Sequence, residues 1–133
     1  MSSKLRKKMK TVITTDVGGK ALGPYSHAIR ANGLIFVSGQ IPFDPEIDAI
    51  VDGGIAAQTD RVLRNVAAIL TAARSSMDKV VRCNVFLTNM SDFSSMNEVY
   101  ATFFPENPPA RTTVAVAQLP KDALIEIQAT AVE

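Results

Sequence analysis

The stretch IAAQTDRVLRNVAAILTAARSSMDKVVRCNVFL, running from Ile55 to Leu87, changes its hydrophobic period midway, and that change sets the fold class. In its first part Val62, Leu63, Val66, Ile69, Leu70 and Ala73 recur three and four residues apart, while Arg61, Arg64, Asn65 and Thr71 fall elsewhere. This spacing predicts an amphipathic helix over Ile55–Ala73 of about five turns. In its last part the period drops to two. Val81, Cys83, Val85 and Leu87 share one face of a strand over Val80–Leu87.

Toward the C-terminus a second helix is expected from Ser91 or Ser95 to Phe104. Ser95-Met96-Asn97-Glu98 fits a capping box, and Phe93, Met96, Val99, Tyr100 and Phe103 form an apolar stripe that reads as core. Pro105, Pro108 and Pro109 end that helix. Strands follow over Thr112–Gln118 and Leu124–Val132. In the latter Ile125, Ile127, Ala129 and Ala131 lie on one face, and Glu126, Gln128 and Thr130 on the other. Toward the N-terminus, Ser26–Ala31 and Leu34–Gly39 flank Asn32-Gly33, a strong hairpin signal because both turn residues must take positive φ. Lys10–Thr15 reads as another strand. The resulting order, β-β-β-α-β-α-β-β, predicts an α/β (α+β) domain. Its mixed sheet has about six strands, with two helices on one face. The other face carries small and polar side chains and needs a cover, for which self-association is the natural candidate.

A chain of 133 residues suits one domain, and 47% hydrophobic residues suffice for a core. The 14 basic and 13 acidic side chains leave a net charge of +1. That balance argues against a dedicated nucleic-acid binder. No apolar run approaches the roughly 20 residues that span a bilayer. One cysteine, Cys83, and one histidine, His27, leave no His/Cys metal cluster within a chain. A lone cysteine in an apolar stretch reads as a buried core thiol in a reducing, cytoplasmic compartment. The opening MSSKLRKKMK has five basic residues and no acid. Residues 1–9 read as a disordered basic tail, with a mitochondrial transit peptide as the other reading, and residues 10–133 as the domain.

Four stretches carry a family resemblance. They are Gly23-Pro24-Tyr25-Ser26, then Val37-Ser38-Gly39-Gln40-Ile41-Pro42, then Asp92-Phe93 through Asn97-Glu98-Val99-Tyr100, and finally Pro109-Ala110-Arg111-Thr112 with Leu119-Pro120-Lys121-Asp122 and Ile125-Glu126-Ile127. In order and spacing the chain resembles the Rid family (reactive intermediate deaminases, or YjgF-type proteins) from about Lys10 onward. The match is to the archetypal branch, because the arginine on which that branch's deaminase activity depends is present. The resemblance implies a chorismate-mutase-like homotrimer with sites at the subunit interfaces. It also implies hydrolysis of enamines and imines such as 2-aminoacrylate to 2-keto acids and ammonia, with no metal or organic cofactor.

The residues can be weighed against that chemistry. Arg111 is a planar fork suited to a carboxylate, though a surface arginine would look the same. Glu126 interrupts an apolar strand. The resemblance makes it the residue that orients the attacking water, and an exposed sheet position or an ion pair is the plainer reading. Tyr25 follows a Gly-Pro turn that can aim its ring over a substrate, or it is a core tyrosine. Ser38 and Gly39 would line the pocket, with Gly39 letting a ligand approach the backbone closely or marking a bulge. Asn97 matches a family asparagine near the site, or serves the helix N-terminus. Thr113 stands where many relatives have cysteine or alanine, which removes thiol chemistry at that position. His27 replaces glutamine, Asp48 a turn glycine, and Arg74 a glycine after the first helix. The last change predicts a different helix ending there. Competing functions are the endoribonuclease or translation-inhibitor role attached to relatives, and a non-catalytic keto-acid sensor or chaperone-like protein.

Overall fold

A computed structural model describes residues 9–16 and 21–133. The basic residues 1–8, and 17–20 with Gly18 and Gly19, lie outside the described residues. In chain order the elements are β1 (Thr11–Ile13), β2 (Ala28–Ala31), β3 (Leu34–Gln40), β4 (Phe43–Asp44), β5 (Ala49–Ile50), α1 (Ile55–Ala72), β6 (Val80–Leu87), α2 (Phe93–Phe103), β7 (Ala110–Ala115) and β8 (Ile125–Val132). Six strands form one sheet in the order β1-β2-β3-β8-β6-β7, and β4 and β5 form a separate small hairpin. Only β6 and β7 pair in parallel, because α2 carries the chain between them; the other neighbours are antiparallel.

The β2–β3 turn is the one expected. Asn32 and Gly33 both take positive φ, 51° and 77°, and Ala31 pairs with Leu34. Helix α1 starts at the residue its periodicity indicates. Its stripe of Val62, Leu63, Val66, Ile69 and Leu70 is fully buried, as are Ile35 on β3 and Ile125 and Ile127 on β8. Each such side chain contributes about 1.5–3 kcal/mol of apolar burial. Among the described residues no helix covers the opposite sheet face, which leaves Phe36 and Val114 exposed.

Several local expectations are corrected. Val81 is 47% exposed, because a register shift between Val80 and Arg82 turns it off the inner face and Val80 takes its place. Asn65 is wholly buried on α1 and donates to the carbonyls of Ile41 (3.2 Å) and Phe43 (2.9 Å), which ties the segment after β3 to the helix. Ser95 does not cap α2. That helix begins at Phe93, after a short 3-10 turn over Met90–Asp92 in which the Asn89 side chain accepts from Ser91 N–H. Strand β7 lies earlier than expected, at Ala110–Ala115. Helix α1 ends as a glycine would end it: Arg74 takes φ 63°, and its N–H and that of Ser75 donate to the carbonyls of Thr71 and Leu70. Arg74 therefore closes a Schellman motif despite its Cβ.

Candidate functional site

The candidate residues fall into two groups, each built on a different face of the sheet. The first surrounds Gly39. Strand β3 pairs with β8 through Val37–Ala129 and Gln40–Ile127, so two residues, Ser38 and Gly39, stand opposite Gln128 alone. This bulge brings the Gly39 backbone under Glu126, and a Cβ at Gly39 would come 2.9 Å from Glu126 Cδ. The bulge reading of Gly39 therefore holds, and the group that approaches its backbone is the Glu126 side chain. Glu126 alternates with buried Ile125 and Ile127, so its side chain projects from the uncovered face. It makes no hydrogen bond or ion pair among the described residues. Burial pushes its carboxyl above the ordinary glutamate value.

Ser38 Oγ donates to the Ser26 carbonyl at 2.6 Å, which leaves its lone pairs as acceptors. Gln40 Nε2 donates back to the Ser38 carbonyl at 3.0 Å and stiffens the bulge. Tyr25 is 47% exposed and is not a core tyrosine. Its ring lies over Gly23, its hydroxyl accepts from Leu22 N–H at 3.1 Å, and the proton on that hydroxyl remains to be donated. Tyr25, His27, Gly39 and Phe43 line one small pocket.

The second group surrounds Arg111. On β7 it pairs with buried Cys83 of β6, so it projects toward the helices. Its guanidinium carbon is 4.8 Å from the Tyr100 ring centre and 5.5 Å from that of Phe93, and Nη1 is 3.9 Å from Met96 Sδ. All three contacts come from one face of α2. Arg111 makes no ion pair among the described residues, where the pairs are Arg30–Glu133 and Arg64–Asp60. Burial raises the Cys83 thiol pKa, an effect that the neighbouring Tyr100 hydroxyl and the Arg111 charge only partly offset. Burial, and then Cys83, push the Tyr100 phenol up as well. Both groups stay neutral near pH 7, which leaves Arg111 as the charge at this place and Cys83 a poor nucleophile.

Thr113 follows Arg111 by two residues on the same face of β7, and Asn97 follows Phe93 by one turn of α2. Thr113 Oγ1 and Asn97 Oδ1 are buried without a hydrogen bond. As the fifth residue of α2, Asn97 is not a helix cap. Phe93, Met96 and Tyr100, read from the sequence as core, also frame the guanidinium. Their helical spacing is that of any apolar stripe, so nothing in it marked them.

One chain thus holds a cation-bearing half and a carboxylate-bearing half but does not join them. Arg111 shares a face with Cys83, and Glu126, opposite Phe86, points the other way. The first half can seat an anion in an aromatic cradle. The second can accept a proton or align a water. Among the described residues no helix is long and apolar enough to cross a membrane.

Residues 17–133 match the family model described as endoribonuclease L-PSP. A RutC family protein of Pyrococcus horikoshii is 52% identical, with 92% of this chain and 98% of that one covered. The chloroplastic Reactive Intermediate Deaminase A of Arabidopsis thaliana is 43% identical, over 92% of this chain and 65% of its own. Among solved structures, a Thermotoga maritima protein described as a candidate endoribonuclease superposes with a TM-score of 0.90 at 50% identity, covering 94% and 98% of the two chains. TdcF of E. coli with bound serine superposes with a TM-score of 0.88 at 38% identity, covering 92% and 98%.

Proposed function

The chain belongs to the endoribonuclease L-PSP family, which includes Rid proteins, and from that premise we propose that it hydrolyses 2-imino acids to 2-keto acids and ammonia. The observation that carries this reading is the Arg111 guanidinium, held by Phe93, Met96 and Tyr100 with no carboxylate of the described chain to neutralise it. Such a fork is ready for a small carboxylate ligand. A relative crystallised with bound serine, itself a small carboxylate, is consistent with that.

In this proposal Arg111 of one copy faces Glu126, Gly39, Ser38 and Tyr25 of another, in a homotrimer whose assembly covers Phe36 and Val114. The imino acid carboxylate lies on Arg111. The Glu126 carboxylate takes a proton from a water as the water oxygen bonds to the imine carbon, and passes that proton to the imine nitrogen. Glu126 then takes the hydroxyl proton of the resulting carbinolamine and returns it to the amino group as the C–N bond breaks, which releases ammonia and leaves the 2-keto acid. An enamine enters after tautomerising to the imine. Tyr25 walls the substrate from bulk water and donates a hydrogen bond to it. The demand on catalysis is modest, since imines of this kind hydrolyse readily once a water is positioned. The lone, buried Cys83 suits a cytoplasmic site of action.

The test generates 2-iminobutanoate in situ with semicarbazide as a competing trap and compares wild type with Arg111→Ala. Deamination predicts that wild type diverts imine to keto acid and that the variant does not. Wild-type protein that leaves trapping unchanged would exclude the activity. If 2-oxobutanoate still raised its Tm, a keto-acid sensor would become the better reading.

A further inference from the structure

Three buried polar atoms around Arg111 have no use in the steps above. Thr113 Oγ1, Asn97 Oδ1 and the Tyr100 hydroxyl are each shut away from solvent without a hydrogen bond. Burying a polar group without a partner is costly, and it is tolerated mainly where something else supplies the partner. Their placement is not scattered. Thr113 is two residues from Arg111 on the same face of β7, about 6.6 Å along the strand. Asn97 lies on α2 about one turn from both Phe93 and Tyr100, the residues whose rings hold the guanidinium.

Resting on the carboxylate role given to Arg111, we infer that Thr113, together with Asn97, selects ligands carrying a hydroxyl on the carbon next to the keto or imino carbon. A carboxylate seated on Arg111 places that carbon's substituent a few ångströms farther on, at the spacing of Thr113. A hydroxyl there donates to Asn97 Oδ1 and accepts from the Thr113 hydroxyl, so these two orphaned atoms are satisfied. A methyl in the same place leaves them unpaired. A site built to hydrogen-bond a hydroxyl discriminates strongly against the analogue that lacks it, because its own buried groups pay the difference. Alanine at Thr113 would remove this preference and leave the arginine clamp intact.

The experiment measures binding by ligand-dependent Tm and calorimetry. It uses 3-hydroxypyruvate and 2-oxobutanoate, which differ by a hydroxyl in place of a methyl. Wild type is expected to bind the hydroxylated acid about tenfold more tightly. Thr113→Val, which keeps the shape, should bring the two within about twofold, and Thr113→Ser should keep the preference. Without ligand, Thr113→Val should also be at least as heat-stable as wild type, since a methyl replaces an unpaired hydroxyl. Equal binding of the two acids by wild type, a preference that survives in Thr113→Val, or binding of neither acid would each overturn the inference. The semicarbazide assay with 2-iminobutanoate, an alkyl substrate, reports separately on deamination, so failure of the preference and failure of the activity can be told apart.

Discussion

The Glu126 carboxylate lies against the Cα of Gly39, so close that a methyl group built on the glycine would come 2.9 Å from Glu126 Cδ and nearer still to Oε2. The contact makes Gly39 a positioning residue. Gly39→Ala is expected to fold, because Gly39 does not take a left-handed φ and Glu126 can swing outward. It should lower kcat about 100-fold, the low end of what a placed proton acceptor supplies. Near-normal turnover in that variant would show that the position of Glu126 does not matter.

Burial raises the Glu126 pKa above 4.5, and the sign of its effects follows. The folded protein holds this proton more tightly than the unfolded chain does. Stability therefore falls as pH rises from the unfolded value through the folded one, and the full cost is present above both. Glu126→Gln should flatten that slope in denaturant titrations between pH 4 and 7. Activity needs the carboxylate, so in wild type it should rise over the same range, with a midpoint above 4.5. A midpoint at or below the ordinary glutamate value would contradict the desolvation.

Arg111→Lys keeps a charge and loses the planar fork. Charged hydrogen bonds are worth about 1.5–3 kcal/mol, so kcat/KM for imine hydrolysis should drop about 10- to 100-fold, mainly through KM. The cleanest check is saturation kinetics of the lysine variant. A fall in kcat with KM unchanged would mean that Arg111 acts on the reacting atoms rather than on the carboxylate.

Arg74 ends α1 at φ 63°, where a Cβ costs roughly 1 kcal/mol that glycine avoids. Arg74→Gly is therefore expected to stabilise the fold by about 0.5–1 kcal/mol in urea titrations, without altering turnover. Destabilisation would mean that the arginine side chain offsets the strain.

The arrangement of elements was legible because its signals are periodic. The α1 stripe, the alternation in β8 and the Asn32-Gly33 turn each point to one conformation. The β4–β5 hairpin was not legible, because two-residue strands are too short to show alternation; Asp44 and the left-handed Asp48 (φ 53°) build its turn. Val81 was misplaced because a bulge breaks the period without leaving a mark in composition. Arg74 was misread because the two carbonyl bonds closing α1 outweigh the strain of one residue. Tyr25, Glu126 and Arg111 could be named as candidates, but their separation could not. It depends on the β6–β7 register, which pairs Arg111 with Cys83, and register between parallel strands joined by a helix is not written in either strand alone.

That separation makes subunit sharing the most direct test. Arg111→Ala and Glu126→Gln chains, each inactive alone, would be co-expressed with different tags and the mixed oligomers purified. If each site takes Arg111 from one copy and Glu126 from its neighbour, every mixed trimer holds one intact site, and about one third of wild-type imine hydrolysis returns. Mixed oligomers as inactive as their parents would contradict a shared site.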